Sequence, residues 1–429
     1  MNPDATALHI PAPGRLVLLG LVLGHTFEVY DFTVYSFFAI QIGQAFFPGH
    51  DAYLSLMASL AVFAVGFIGR PIGAWWLGRL ADRRGRNPAL FLTMLMMGVS
   101  TAAIVLCPPF AVIGLAAPLA LIAARFVQGL ALGGELGIAT CCLTELAPPD
   151  KRGVYVSLQP MAQGLAAALA PLIGLGVTLS FGPASLAAWG WRLALGLGLA
   201  VVPVAIVLRR NLPESHAAPA DRQAPPRALP REAIRPALLG IAFISCGTIQ
   251  TYCFAYTATF AQSALHLSAA VGLAATILGA LVAMPAFLLG GWLGDRYGRR
   301  IPQMISAVVL ALIVVPLLNW VIAMPGLVSL AGSTMIGTLI SGAGATATTM
   351  IAEQLPQAQR ARLFSLVYAL PVCVFGGTTQ LWLTWLLHVT GTPMALGWLR
   401  AALFAISVVI VWQFRESAPR ARALRPAMA

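Results

Sequence analysis

The sequence predicts an all-α membrane protein, with twelve transmembrane helices arranged as two pseudo-symmetric six-helix halves. Three observations predict it. Of 429 residues, 59% are hydrophobic and only 9% charged, with a mean hydropathy of +0.85, whereas soluble domains carry roughly 25% charged residues. Apolar runs of about 20 residues, the length a helix needs to cross the hydrocarbon core, recur along the whole chain. Two loop motifs of the first half return in the second at nearly constant offset.

The runs fall near 15–43, 54–78, 89–107, 113–145, 154–179 and 189–208, and then near 236–261, 271–293, 303–323, 326–352, 362–389 and 394–414. They are continuous rather than alternating, which favours helices over a barrel. The fourth and eleventh are long enough to tilt or to protrude. Between the sixth and seventh, RRNLPESHAAPADRQAPPRALPREAIRP is rich in proline and arginine and lacks apolar periodicity. This division gives an N-terminal tail 1–14, a first half 15–208, a linker 209–235, a second half 236–414 and a C-terminal tail 415–429.

The net charge of +12 is read by position. With the N-terminus placed in the cytoplasm, 22 of the 26 basic residues fall in cytoplasmic loops, tails or helix ends, the exceptions being Arg70, Arg125, Arg192 and Arg400. The basicity therefore orients the chain in a bilayer, with both termini cytoplasmic, and no nucleic-acid partner is expected. Residues 1–14 lack the charged n-region of a cleavable signal, so the first apolar run is expected to remain as the first helix. The six cysteines are scattered in apolar runs without CxxC or metal spacing, and read as small fillers. With no HExxH, Walker loop or GxSxG constellation, no enzyme activity, catalytic residue, metal or cofactor is expected, and transport energy must come from an ion gradient or from the substrate.

Span one holds two carboxylates in hydrocarbon, Glu28 and Asp31, within GHTFEVYDFTVYSFF. Glu28 lies 13 residues past Arg15, about 20 Å along a helix and so near the midplane. His25, Glu28 and Asp31 share one helix stripe. A carboxyl desolvated at that depth favours its neutral acid, which suits proton coupling, against the plainer alternative of a fixed pair with Arg70 or Arg125. His25 reads more simply as a satisfied interior histidine.

After span two comes GRLADRRGR and after span eight GGWLGDRYGRR, aligning Asp82 with Asp295 at an offset of 213. After span four comes ELAPPDKR and after span ten EQLPQAQR, sharing ExxPxxxR at an offset of 208. Glycine serves the tight turns, and the aspartates can sit at helix N-termini. The duplicated Asp82, Arg83, Arg86 and Asp295, Arg296, Arg299, with Glu145, Arg152, Glu353 and Arg360, read as a gate in which Asp82 meets the start of span eleven and Asp295 the start of span five near Gly153. Glu135 is expected to join this gate. For any one arginine the alternative is headgroup anchoring.

On span four, Arg125 and Glu135 lie about 15 Å apart along the axis and cannot pair directly. A guanidinium in a water-filled cavity can hold a carboxylate by two parallel hydrogen bonds, so Arg125 is a candidate substrate ligand, with Arg70, Tyr35 and Gln128. The second half has no acid inside its spans. Its candidates are neutral, Gln250, Tyr252, Tyr256, Tyr368 and Gln380, with Arg400 near the outer end of span twelve.

These motifs carry a resemblance. EVYDFTVYSFF, GFIGRPIGAWWLGRLADRRGR, RFVQGLALGGE and WGWR are similar to the major facilitator superfamily, and within it to the metabolite:proton symporter family, over roughly Arg15 to Phe414. The bacterial citrate and tricarballylate carriers are resembled most, through FFPGHDAYLSLMASLAVFAVGFIGRPIGA, LRRNLPES and VVPLLNWVIAMP. The resemblance implies the major facilitator fold and proton-coupled symport of a small organic acid, citrate or a related di- or tricarboxylate, by alternating access. It implies a monomer in a bacterial inner membrane. Sodium coupling, an acid such as 2-oxoglutarate or shikimate, and an osmolyte such as proline or betaine are the alternatives. The osmolyte branch carries a C-terminal heptad extension, whereas RESAPRARALRPAMA follows the last span here.

Overall fold

A computed structural model describes residues 14–48, 52–182, 185–212 and 231–418. Most of the expected linker 209–235 and of the tails 1–14 and 415–429 lies outside the described residues. Among those described there is no strand. Eleven helices are long and apolar enough to cross a membrane, and the pair Gln357–Gly376 and Thr379–Thr390, bent by 42° at its break, supplies a twelfth.

Span one comprises Arg15–Phe37 and Ala39–Phe46, span two Ala52–Arg84, span three Arg86–Leu106, span four Ala116–Leu146 and span five Arg152–Ser180. Span six runs through short π and 3₁₀ stretches to Val201–Asn211. Span seven comprises Arg231–Ala255 and Thr257–Ser263, span eight Ala269–Tyr297, span nine Arg300–Ala323 and span ten Leu327–Ala343 with Ala347–Gln354. Span eleven starts at Arg360–Pro371, passes through the π turn Val372–Gly376 and resumes at Thr379–Thr390; span twelve is Met394–Gln413.

Several runs read as continuous are in fact broken, span eleven at the bend just described among them. Spans one and seven break at Phe38 and Tyr256, each an aromatic residue only 2% exposed whose ring is turned into its own half. Span ten breaks at residues 344–346, where Thr346 and Ala347 donate their amides to the Gln303 Oε1 at 3.2 Å. A side chain of span nine thus takes the helix bonds the break gives up. Large apolar side chains such as Leu16, Leu106, Val328 and Trp398 stand exposed on the outside, the arrangement expected of a lipid-facing surface.

The ladder of the repeat is visible in its turns. Spans two and three are joined through Gly85 at φ 104°, and spans eight and nine through Gly298 at φ 97°, a conformation side chains rarely adopt. The halves meet along spans two and eleven and along spans five and eight. In the latter seam, a Cβ at Gly153 would stand 2.4 Å from the Gly291 carbonyl oxygen, whereas a Cβ at Gly176 of the same span meets nothing within 4 Å. We expect Gly153→Val to lower the unfolding temperature of the detergent-purified protein, by the equivalent of about 1–3 kcal/mol of overpacking. Gly176→Ala should leave it unchanged. Equal melting of both variants would show that the seam yields.

Candidate functional site

At the arginine-rich end two four-residue clusters face each other. Asp82, at the end of span two, accepts from the backbone amides of Ala361 at 3.1 Å and Arg362 at 3.0 Å, at the start of span eleven. Asp295, at the end of span eight, accepts from Gly153 at 2.8 Å and Val154 at 2.9 Å, at the start of span five. Each carboxylate caps a helix of the other half, where free N–H groups and the macrodipole favour negative charge. Each is also braced within its own half. Arg86 donates to Asp82 at 2.7 Å and to both Glu145 oxygens, while Arg299 donates to Asp295 at 2.6 Å and to both Glu353 oxygens. Arg360 reaches Glu145 at 3.7 Å across the seam, and Arg152 reaches Glu353 at 4.0 Å in the opposite sense. Arg86 and Arg299 are both fully buried.

Three residues expected here lie elsewhere. Arg83 and Arg296 are exposed, Arg296 lying over the rings of Trp292 and Tyr297, because one position along a helix turns a side chain away from its neighbour's face. Glu135 is the larger correction. It lies ten residues before Glu145 on a straight helix, too far from the gate, and it faces span one instead.

There Glu135 Oε2 meets His25 Nδ1 at 2.7 Å, both side chains being buried. Glu28 completes the group, and the three residues place one polar atom each within 4.8 Å of one another. Both Glu28 oxygens, Glu135 Oε1 and His25 Nε2 have no hydrogen-bond partner among the described residues. Such spacing lets one proton, or one small cation, be shared among them. The i, i+3 spacing of His25 and Glu28 was legible in the chain, but their partner on span four was not.

Asp31 faces a different neighbour. Gln128 bridges it to Arg125, donating to Asp31 Oδ2 at 2.5 Å and accepting from Arg125 Nη1 at 2.7 Å. Thr101 adds an oxygen 3.0 Å from the same amide. The fixed Arg125–carboxylate bridge is therefore absent among the described residues; a neutral amide stands between. Arg125 instead stacks on Tyr35 at 3.6 Å, and its Nε and Nη2 have no hydrogen-bond partner among the described residues. Tyr35 is itself held by Ser59 at 3.2 Å.

Arg70 of span two lies between the rings of Phe32 and Phe67, 4.6 Å from each centroid. It too makes no ion pair among the described residues, and Tyr252, Tyr368 and Cys373 of the second half are the groups within its electrostatic reach. The two guanidiniums share a ring, since Arg125 stands 5.8 Å from the Phe32 centroid. This aromatic box of Phe32, Phe63 and Phe67 was missed in the sequence, where phenylalanines in a membrane run carry no signal of their own.

Of the second-half candidates, Tyr252 and Tyr368 join this centre: Tyr252 stands edge-on to Phe67 at 6.3 Å within reach of Arg70, and Tyr368 lies within reach of Arg70, Glu135 and Gln163. Gln250 is bound to Arg400, exchanging two hydrogen bonds of 3.0 Å across spans seven and twelve. Tyr256 bonds to Thr384 at 3.0 Å inside its own half, and Gln380 is exposed on span eleven. These three do not converge on the arginines.

Two packed helical halves closed by duplicated ion clusters, around a buried cationic and carboxyl centre, define the class: a two-domain membrane transporter. The chain belongs to the Major Facilitator Superfamily, whose family profile matches residues 21–371. It is 35% identical over 410 residues to a citrate-proton symporter of Salmonella typhi, covering 91% of this chain and 93% of that one. It is 30% identical over 378 residues to an alpha-ketoglutarate permease of Escherichia coli strain K12, covering 85% of each. Its fold is similar to that of the proton:xylose symporter XylE bound to 6-bromo-6-deoxy-D-glucose, with a TM-score of 0.78 at 16% identity over 95% of this chain and 98% of the other.

Removing the Asp82 charge should loosen one of the two caps that tie the halves. With the six native cysteines replaced and a single cysteine at position 139, Asp82→Asn is expected to raise the rate of labelling from the arginine-rich side several-fold. Equal rates would limit Asp82 to shaping its loop.

Proposed function

We propose that the chain is a proton-coupled symporter that carries a small organic acid with at least two carboxylates, citrate or a near relative, across a bacterial inner membrane into the cell. The observation that carries this reading is the pair Arg70 and Arg125, two cations at the buried centre that flank one phenylalanine ring and have no ion-pair partner among the described residues. Burying an uncompensated guanidinium is costly, and the aromatic rings offset only about 0.5–2 kcal/mol of that for each. A dicarboxylate or tricarboxylate reaching both would supply the missing counter-charge. A zwitterionic osmolyte would leave one arginine unmatched, which ranks that alternative lower. The similarity to a citrate-proton symporter points the same way.

The coupled proton, in this reading, is held by the Glu28 and Glu135 carboxyls, with Asp31 tuned through Gln128 to the occupancy of Arg125. The order of events follows from charge. Protonation removes negative potential near the arginines, the anionic substrate binds, and the halves then exchange the closed clusters of Asp82 and Asp295 for an opening on the cytoplasmic side. Tyr35, Gln128 and Tyr368 supply neutral hydrogen bonds around the substrate.

Proteoliposomes with an imposed pH gradient and radiolabelled citrate test the reading directly. Glu28→Gln mimics the protonated acid, and is expected to abolish accumulation against a gradient while leaving citrate exchange at least partly active. Arg125→Lys should raise the KM for citrate by about tenfold or more, the equivalent of ~1.4 kcal/mol, because an ammonium lacks the planar fork. Unchanged KM in both Arg125→Lys and Arg70→Lys would count against carboxylate recognition at this centre. Uptake driven by sodium and indifferent to pH would replace the coupling ion.

A further inference from the structure

His25 takes no part in the reading above beyond its bond to Glu135, yet it is placed where a route would have to begin. Its Nδ1 faces the Glu135 carboxyl at 2.7 Å, while its Nε2, on the opposite side of the ring, has no partner among the described residues. Beside the ring lies a small, partly open cavity lined by His25, Leu21, Val22, Ala139, Leu143 and Gln159 together with Leu158. Every other lining residue lies between the carboxyl cluster and the arginine-rich end. Leu21 and Val22 precede His25 by about one turn, and Ala139 and Leu143 follow Glu135 by about one and two turns. Leu158 and Gln159 sit near the start of span five, which begins at Arg152. Leu143 is two residues from Glu145 of the gate.

The polar wall of this cavity is organised. Gln159 donates to the Leu136 carbonyl at 2.9 Å, and its Oε1 accepts from the Thr140 hydroxyl. The groups facing His25 are few: Glu28 on its own helix, Glu135 on span four, the neutral Gln159 on span five, and the apolar Met94 and Val204 packed at the adjacent Gly24. Tyr368 and, beyond it, Arg70 reach this group only through Glu135. A histidine bonded to a carboxyl on one nitrogen, with the other unpartnered among the described residues and its ring beside a cavity, is arranged to pass a proton through its ring.

We propose that His25 is the outlet by which the coupled proton leaves the Glu28–Glu135 pair toward the arginine-rich face, through this cavity, separately from the wider path the substrate takes. The proposal rests on the symport reading above. In the step itself, the lone pair of Nδ1 takes the proton of the Glu135 O–H, leaving a carboxylate, and the imidazolium releases its Nε2 proton to water in the cavity. The ring is left with its proton on Nδ1 and a bare Nε2; turning over about its side-chain bonds brings the bare nitrogen to the carboxyl and the N–H to the cavity, and Glu135 is reloaded through Glu28 from the opposite face once the halves have reversed, so one net proton crosses per full cycle of the conformations.

The test uses full-length protein in proteoliposomes carrying an internal pH dye, with radiolabelled citrate as the probe. Two rates are compared: citrate exchange at equal pH, which needs no net proton release, and net uptake driven by a pH gradient. For His25→Gln, the ratio of net uptake to exchange is expected to fall by about tenfold or more, within the range of a positioned acid–base group, and dye acidification per citrate should slow with it. Leu143→Phe, which fills the cavity without touching the carboxyls, should lower the same ratio several-fold. An unchanged ratio in both variants overturns the outlet, as does parallel loss of exchange and uptake in His25→Gln with Leu143→Phe normal, since that marks a structural histidine. Wild-type uptake driven by a sodium gradient without dye acidification would overturn the symport reading itself, and the outlet with it.

Discussion

Charge cannot stay in a low-dielectric interior without a partner, and the architecture of this chain is an answer to that constraint. At the arginine-rich end the answer is complete. Asp82 and Asp295 each receive two backbone amides from the opposite half and a guanidinium from their own. Because the amides belong to helix starts that must swing away for the halves to separate, the contacts that satisfy the charges are also those that join the halves. Separation then requires water to replace four amide donors at once, which makes closure and opening discrete alternatives.

At the centre the answer is incomplete. Arg70 and Arg125 are surrounded by rings and neutral hydrogen-bonding groups, and the carboxyls of Glu28 and Glu135 share one histidine. Gln128 keeps Asp31 from closing a salt bridge with Arg125, so neither charge is consumed. Cations and acids thus occupy neighbouring but distinct positions in the first half. An anionic substrate and a proton can each complete part of the charge balance, and the presence of one alters the potential felt by the other.

The internal repeat explains why the ends are symmetric and the centre is not. Duplicated loops impose the same tight glycine turn and the same Asp–Arg spacing on both halves, so the seams at spans two and eleven and at spans five and eight mirror each other. Apart from Glu232, Asp295 and Glu353 at helix ends, no acid occurs inside the spans of the second half. Glu416, after span twelve, caps the amides of Arg299 and Arg300 at 2.8 and 3.1 Å.

Twelve crossings, their pairing into halves and the two motif-bearing loops were legible in the chain, because hydrophobic length and local turn chemistry act over short distances and leave a periodic mark. The partners of Asp82 and Asp295 could be reasoned from the repeat, since symmetry carries a contact from one half to the other. The centre could not be reasoned in this way. Whether Glu135 joins Arg152 or His25, whether Asp31 meets Arg125 directly or through Gln128, and whether Gln250 faces substrate or Arg400 depend on helix rotation and crossing angle. A helix places successive side chains roughly 100° apart, so a small rotation exchanges one partner for another at no cost visible in the sequence; only packing against the neighbouring spans decides it.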